Sequence, residues 1–291
     1  MGPRTRLGVL GWPVRHSRSP AIQNAALAAS GLTDWRYQLL PVPPALLEPT
    51  VRALPGAGFA GVNVTIPHKR LVLSLACGAS ERARAIGAAN TLTFDDAGRI
   101  EAENTDAPAL IAALPFGAAG RSALVLGAGG SARAAVWALI DAGAARVAVW
   151  NRTPGRAREL CAELGGEPVE VVGSAEPTDP TDPTDPTDPT EDLPTELAAD
   201  LLVNCTSVGL DPREPTFDAL PLRADDLVHY QCVVDLVYAD GETELVRAAH
   251  ELRVAVVDGL ELLLGQGALS FERFTGRPAP VEAMRVALHR R

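Results

Sequence analysis

The chain has 291 residues, is 47% hydrophobic and 21% charged, and carries a formal net charge of −10. That length suits two domains better than one core, and the composition excludes a disordered or fibrous protein. With no basic surplus to neutralise phosphates, a nucleic-acid partner is not expected.

In chain order, short apolar runs alternate with helical stretches, the pattern of an α/β fold built on parallel strands. A strand is expected over residues 6–10. Ser19 then reads as a helix N-cap and Pro20 as the first helical residue, opening a helix that ends near Gly31. A strand over 37–42 and a helix over 44–54 follow, then a strand over 61–65. Pro67 is expected to start a short helix carrying Lys69, with another helix over 81–86. Residues 91–94 and 99–104 read as a hairpin. A second unit opens with a buried strand over 122–126. A helix follows to about Ala142, capped by Gly143, and then a strand over 146–150. Further strands are expected over 169–172, 201–204, 233–237 and 254–257, and two closing helices over 261–274 and 281–288. Residues 177–190 read PTDPTDPTDPTDPT. Proline at every third position blocks both helix and ladder hydrogen bonding, so an extended solvated insert is expected there.

The string Gly127-Ala128-Gly129-Gly130-Ser131-Ala132 stands between a strand and a helix. In that context its G-x-G-x-x-A spacing is a dinucleotide-binding fingerprint. The glycines permit a tight turn and a close approach of pyrophosphate to free N–H groups at a helix start. The end of the next strand decides which nucleotide. An acid there would hold a ribose 2′-hydroxyl, but the chain has Asn151-Arg152-Thr153 with Arg156 close behind. Two guanidinium groups without a carboxylate suit a 2′-phosphate, so the expected cofactor is NADP.

The first half places polar side chains in loops beside strand ends. They are Ser17 and Ser19, Asn63 and Thr65, Asn90 and Thr91, and Asn104, Thr105 and Asp106. Groups of this kind suit a small polyhydroxylated ligand, although each alone also serves as a cap or turn residue. Of the 26 basic residues only Lys69 is a lysine. An amine can exchange a proton near neutrality where a guanidinium does not. Lys69 with Asp106 therefore forms a candidate acid–base pair, a surface salt bridge being the plainer alternative. His16 and His68 flank these loops, and a dehydrogenase using His16 with NAD is a third possibility. Four cysteines at 77, 161, 205 and 232 show neither CxxC spacing nor a zinc pattern, so no metal is expected. Scattered thiols, no apolar leader and no ~18-residue apolar run point to a soluble cytoplasmic protein with no membrane partner.

Taken together, GWPVRHSRSPAIQN (11–24), GVNVTIPHK (61–69), IGAANT (86–91), NTD (104–106), GAGGSARA (127–134), NRT (151–153), NCTSVG (204–209), DLVY (235–238) and DGLELLLGQGALSFERFTG (258–276) resemble the shikimate dehydrogenase family over nearly the whole chain. The resemblance implies two α/β domains. Residues 1–106 and 259–291 would bind substrate, and 107–258 would form a Rossmann-type NADP domain containing the 177–190 insert. The last helices would return to the first domain, with catalysis in a cleft that closes against water. It implies interconversion of shikimate and 3-dehydroshikimate with NADP, in aromatic amino-acid biosynthesis. Lys69 would be the base and Asp106 its partner. Ser17, Ser19, Thr65, Lys69, Asn90, Asp106, Tyr238 and Gln266 would contact the substrate. Gly127, Ala128, Gly129, Gly130, Ser131, Asn151, Arg152, Thr153 and Arg156 would hold the cofactor, with Leu236 and Gly259 at its nicotinamide end. A homodimer stays open as the assembly. The chain departs from the family pattern at Gln23, Ala102, Ala107, Leu210 and Leu262. Those changes leave a paralogue acting on quinate, or with a relaxed cofactor preference, as the enzyme alternative. A catalytically silent NADP-binding protein is the alternative of another class.

Overall fold

The computed structural model describes residues 5–170, 194–239 and 241–289. The expected 177–190 insert and the end of the strand expected over 169–172 lie outside them. Two compact units emerge. One takes residues 1–114, 133–138 and 260–291, and the other 115–132 and 139–259.

The first unit begins with β1 (Thr5–Gly11), α1 (Ser19–Ala29), β2 (Trp35–Pro41), α2 (Leu47–Ala53) and β3 (Phe59–Val64). It continues through α3 (Leu71–Leu75), β4 (Gly78–Ala79), α4 (Glu81–Ile86), β5 (Thr91–Phe94), β6 (Ile100–Glu103) and α5 (Asp106–Ala113). Its six-stranded sheet has the order β2-β1-β3-β5-β6-β4. β1 pairs with β2 and β3 in parallel, while β5 runs antiparallel to both β3 and β6. Because β5 reverses, its first residue pairs with the end of β3, with Asn63 opposite Thr91. One end of these three strands thereby collects the loop after β3, the loop before β5 and the loop after β6. Leu10, Val62 and Leu92 form a solvent-free core against Val51 and Val72. Each such side chain contributes roughly 1.5–3 kcal/mol on burial.

Two local expectations fail here. Ser19 is the first helical residue and not the cap. Arg18 occupies the cap position, and the Ser17 hydroxyl accepts the Ser19 N–H at 3.3 Å. No helix starts at Pro67 either. The His68 N–H closes a turn onto the Thr65 carbonyl and the His68 ring bonds the Val42 carbonyl, so α3 begins only at Leu71 and Lys69 sits in the turn before it.

The second unit contains β7 (Ser122–Leu126), α6 (Gly130–Asp141), β8 (Arg146–Trp150), α7 (Pro154–Leu164), β9 (Glu167–Val169) and β10 (Leu201–Asn204). It continues through α8 (Thr216–Ala219), β11 (Cys232–Asp235), α9 (Glu244–Glu251) and β12 (Ala255–Val257). The order β12-β11-β10-β7-β8-β9 is all parallel. Read from β7 outward, this is the doubly wound 3-2-1-4-5-6 arrangement, with its topological switch between β7 and β10. The strands are continuous apolar runs because both faces are buried. The chain ends in α10 (Gly259–Thr275) and α11 (Val281–Leu288), which count almost wholly with the first unit. No helix among the described residues is long and apolar enough to cross a membrane.

Asp200 ties the starts of three adjacent strands. Its carboxylate accepts the Ser122 N–H at 2.8 Å, the Ser122 hydroxyl at 2.9 Å and the Gln231 amide at 2.6 Å. The Ser122 N–H is the main cause holding its pKa below the ordinary carboxylate value. A carboxyl whose pKa is lowered by folding stabilises the fold above its unfolded value of about 4, and that contribution fades as pH falls further. Asp200→Asn should lower Tm by about 2–4 °C at neutral pH, with the gap to wild type closing below about pH 4. A gap that does not change with pH in thermal melts would contradict this role.

Candidate active site

In the first unit, the turn after β3, the residue before β5 and the start of α5 converge on one carboxylate. Lys69 Nζ lies 2.7 Å from Asp106 Oδ2, and the two side chains are 13% and 16% exposed. The other oxygen, Oδ1, accepts a hydrogen bond from Asn90 Nδ2 at 2.8 Å. Asp106 is the first residue of α5, where the helix dipole favours a negative charge. Asn104 Oδ1 accepts the Ala107 N–H and steadies that turn. The backbone of Lys69 is held because Ala89 N–H donates to its carbonyl at 2.8 Å.

Asn90 is fixed from every side. Its N–H donates to the Glu103 carbonyl, its carbonyl accepts the Val64 N–H, and its side-chain oxygen accepts the Thr105 N–H at 2.8 Å. Gln266, on α10, brings Oε1 to 3.4 Å from Asn90 Nδ2. The four groups Lys69, Asp106, Asn90 and Gln266 therefore meet. Ser17 and Ser19 are joined to each other through their hydroxyls at 3.2 Å. Their loop adjoins that of Thr65, since Trp12 N–H donates to the Ile66 carbonyl and Thr65 N–H to the Leu10 carbonyl. Gly11 has to be glycine for this approach, because a Cβ there would stand 2.4 Å from the Thr65 methyl.

Four further residues from these loops spend their polar atoms on partners inside the unit. Asn63, Thr91, Asn104 and Thr105 are at most 5% exposed and hydrogen-bonded within the unit. Their partners lie far along the chain, so the local pattern gives no sign of them. Of the two flanking histidines, His16 is exposed and His68 is fully buried on the Val42 carbonyl.

The second unit holds the glycine string at its topological switch. Gly127 has φ +107°, and a Cβ on it would sit 3.2 Å from the Cys205 backbone, so the turn from β7 into α6 requires glycine. Its N–H is anchored on the Trp150 carbonyl at 2.7 Å. A Cβ on Gly129 would meet nothing within 4 Å, so space lies open in front of the helix start. α6 is twelve residues long and begins at Gly130, beside Ala128 and Ser131. After β8, Asn151 Nδ2 bonds the Thr153 carbonyl, which shapes the turn, and Arg152 and Arg156 are exposed. Neither guanidinium forms an ion pair among the described residues. An open glycine cradle at a helix start, with two guanidinium groups and no acid at the end of β8, fits a dinucleotide bearing a 2′-phosphate.

Leu236 and Tyr238, half-buried, lie in the loop after β11. Gly259, at the start of α10, is packed on that loop, and a Cβ there would stand 2.5 Å from the Val237 carbonyl oxygen. Tyr238 thus belongs to the second unit. Beneath the loop lies Asp235, a residue not singled out by sequence as a site residue. It has no solvent exposure and accepts from Asn204 Nδ2 at 2.9 Å, Val237 N–H at 3.0 Å and Thr243 Oγ1 at 2.6 Å. A lone acid ending an apolar strand was the available signal. No group of three His, Cys, Asp or Glu suited to a metal occurs among the described residues.

Family models match three stretches. Residues 9–92 match the shikimate dehydrogenase substrate binding domain, 111–177 match shikimate/quinate 5-dehydrogenase, and 259–289 match the shikimate 5′-dehydrogenase C-terminal domain. The chain is similar to the NADP(+) shikimate dehydrogenase of Methylobacterium radiotolerans, 44% identical over 94% of this chain and 92% of that one. It is also similar to the crystal structure of Thermus thermophilus shikimate 5-dehydrogenase in complex with NADP(H) and shikimate. There the TM-score is 0.79 and identity 37%, with 98% of each chain covered. The shikimate dehydrogenase structure from Aquifex aeolicus gives a TM-score of 0.84 at 30% identity, covering 100% of this chain and 99% of that one.

Burial pushes the pKa of Asp235 up to about 6, against the opposing pull of Thr243, Val237 and Asn204. Folding therefore favours its neutral form, and the cost of ionising it grows as pH rises from about 4 to about 6. Across that window the Tm of Asp235→Asn should climb relative to wild type. A difference that stays flat or falls would show that the carboxyl is not raised.

Proposed function

The chain belongs to the shikimate dehydrogenase family, and from that membership we propose how its own residues carry the reaction. It interconverts shikimate and 3-dehydroshikimate with NADP(H), an oxidation of one secondary alcohol to a ketone and its reverse. The observation that carries the assignment of roles is the 2.7 Å contact of Lys69 Nζ with Asp106 Oδ2, beside the Asn90 bond to Oδ1.

Oxidising a carbinol removes a proton from oxygen and a hydride from carbon. NADP, when bound, supplies the hydride acceptor. Lys69 Nζ takes the hydroxyl proton in oxidation and returns it in reduction, a task suited to an amine and not to a guanidinium. Asp106 orients that amine through one oxygen, and Asn90 fixes the rotation of the carboxylate through the other. Ser17, Ser19, Thr65, Asn90 and Gln266 bind the ring substituents with neutral hydroxyl and amide groups. This assigns the first unit to the substrate.

The second unit binds the cofactor. Gly127, Ala128, Gly129, Gly130 and Ser131 would take the pyrophosphate at the start of α6. Asn151, Arg152, Thr153 and Arg156 would take the 2′-phosphate end. Leu236 and Gly259 would line the nicotinamide end. The four free cysteines accord with a reducing compartment, and we place the enzyme in the cytoplasm.

Lys69→Ala should cut kcat at least ~10²-fold and leave NADP affinity within about 2-fold of wild type. Activity equal to wild type in steady-state assays would remove Lys69 from the mechanism. Arg152→Ala should raise the Kd of NADP about 10-fold or more while leaving that of NAD unchanged. Equal weakening of both nucleotides, read by fluorescence titration, would separate Arg152 from the 2′-phosphate.

A further inference from the structure

We propose that Ser270 is a positioning residue for the proton-transfer pair, acting on it through Asn90. The inference rests on the roles given above to Lys69 and Asp106.

Ser270 lies on α10 one turn after Gln266 and has no solvent exposure. Its hydroxyl donates to the Gln266 carbonyl at 2.9 Å, a bond that would satisfy a serine inside a helix by itself. It has three more partners. Asn63 Nδ2 donates to it at 2.8 Å, and the hydroxyls of Thr91 and Thr105 lie at 3.0 and 3.2 Å. One oxygen thus joins α10, β3, β5 and the residue before α5.

The bonds have a direction. The Tyr37 hydroxyl, 2% exposed, donates to Asn63 Oδ1 at 2.8 Å. Asn63 Nδ2 donates onward to Ser270 Oγ and to Thr91 Oγ1. The hydroxyls of Thr91 and Thr105 reach Asn90 Oδ1 at 3.2 Å. Asn90 Nδ2 then donates to the Asp106 carboxylate. An amide whose oxygen accepts strongly becomes a better N–H donor, so the route from Tyr37 through Asn63 and Thr91 to Asn90 strengthens link by link in a low-dielectric interior. Ser270, whose proton goes to the Gln266 carbonyl, acts by accepting from Asn63 and holding the Thr91 and Thr105 hydroxyls in place. The same bonds hold the plane of the Asn90 amide, and with it the rotation of the carboxylate that orients Lys69. A helix position with no solvent contact favours alanine unless a hydroxyl is fully partnered. Here four polar groups surround that hydroxyl, and they lead to the reacting pair.

Neither Ser270 nor Tyr37 touches substrate in this account, so their effect has to appear in the chemical step. Ser270→Ala should lower kcat for shikimate oxidation about 10-fold, with the KM of shikimate within ~3-fold and the Kd of NADP unchanged. The deuterium isotope effect on kcat, measured with shikimate deuterated at the reacting carbinol carbon, should exceed that of wild type. Tyr37→Phe, at the far end of the chain of bonds, should lower kcat by about 2- to 3-fold and raise the isotope effect above that of wild type. The double variant should lose less than the product of the two. If Ser270→Ala does not fold, Tyr37→Phe alone decides. Wild-type kcat and isotope effect in the folded variants, with only a lower Tm, would reduce the network to a structural one and overturn the inference. Lys69→Ala assayed alongside keeps the premise separate. Full activity there would remove the premise itself, whereas an inactive Lys69→Ala beside a wild-type Ser270→Ala would remove only the role of Ser270.

Discussion

One carboxylate with two different partners organises the first unit. Asp106 gives one oxygen to the Lys69 amine at 2.7 Å and the other to the Asn90 amide at 2.8 Å. A contact of this kind is worth little on an exposed surface, where solvent and side-chain entropy offset it. Here both partners are nearly buried and their backbones are fixed by other bonds. The antiparallel reversal of β5 makes this possible. It places Asn90, at the entry to β5, beside the exit of β3 and the exit of β6. Three loops meet at one end of these strands, and no side chain has to reach far. The neutral hydroxyls and amides around the pair suit a polyhydroxylated ring, and the single amine leaves one group able to exchange its proton.

The second unit obeys a separate constraint, that of backbone approach. A strand-to-helix turn at the topological switch of a doubly wound sheet exposes free N–H groups only if the chain can turn tightly there. Gly127 meets this with a positive φ and almost no room beside Cys205, while Gly129 leaves the space in front open. In the proposed function, the choice between the two nicotinamide nucleotides falls to different residues, at the end of β8. Arg152 and Arg156 are exposed there and no acid is present, so a 2′-phosphate is attracted and not repelled.

Much of this was legible in the sequence because it is local. The apolar runs of β7, β8 and β10 are buried on both faces and stand out as strands. The glycine string is readable because a strand precedes it and a helix follows. Lys69 stands out as the one lysine among 26 basic residues. What was illegible depends on partners distant in the chain. Asn63 looks like a ligand group in a polar loop, yet its partners include Tyr37 and Ser270, the latter 207 residues away, and they draw it inside. Ser270 shows only its i+4 spacing from Gln266. The start of α5 at Asp106 was hidden because only Asn104 and Thr105 separate it from β6, and its cap residue Thr105 makes no side-chain capping bond. The turn holding Lys69 looks like a helix start, because nothing local shows the His68 ring bound to the Val42 carbonyl.

The central claim is that this site oxidises shikimate and that the cofactor is NADP. The direct measurement is the initial rate of absorbance change at the reduced-nicotinamide band, with shikimate or quinate each paired with NADP or NAD. The account predicts activity confined largely to shikimate with NADP. A higher kcat/KM with quinate or with NAD would contradict the assignment of the Lys69 site or of the Arg152 and Arg156 pair. Binding of NADP with no turnover in any pairing would contradict an enzymatic role altogether.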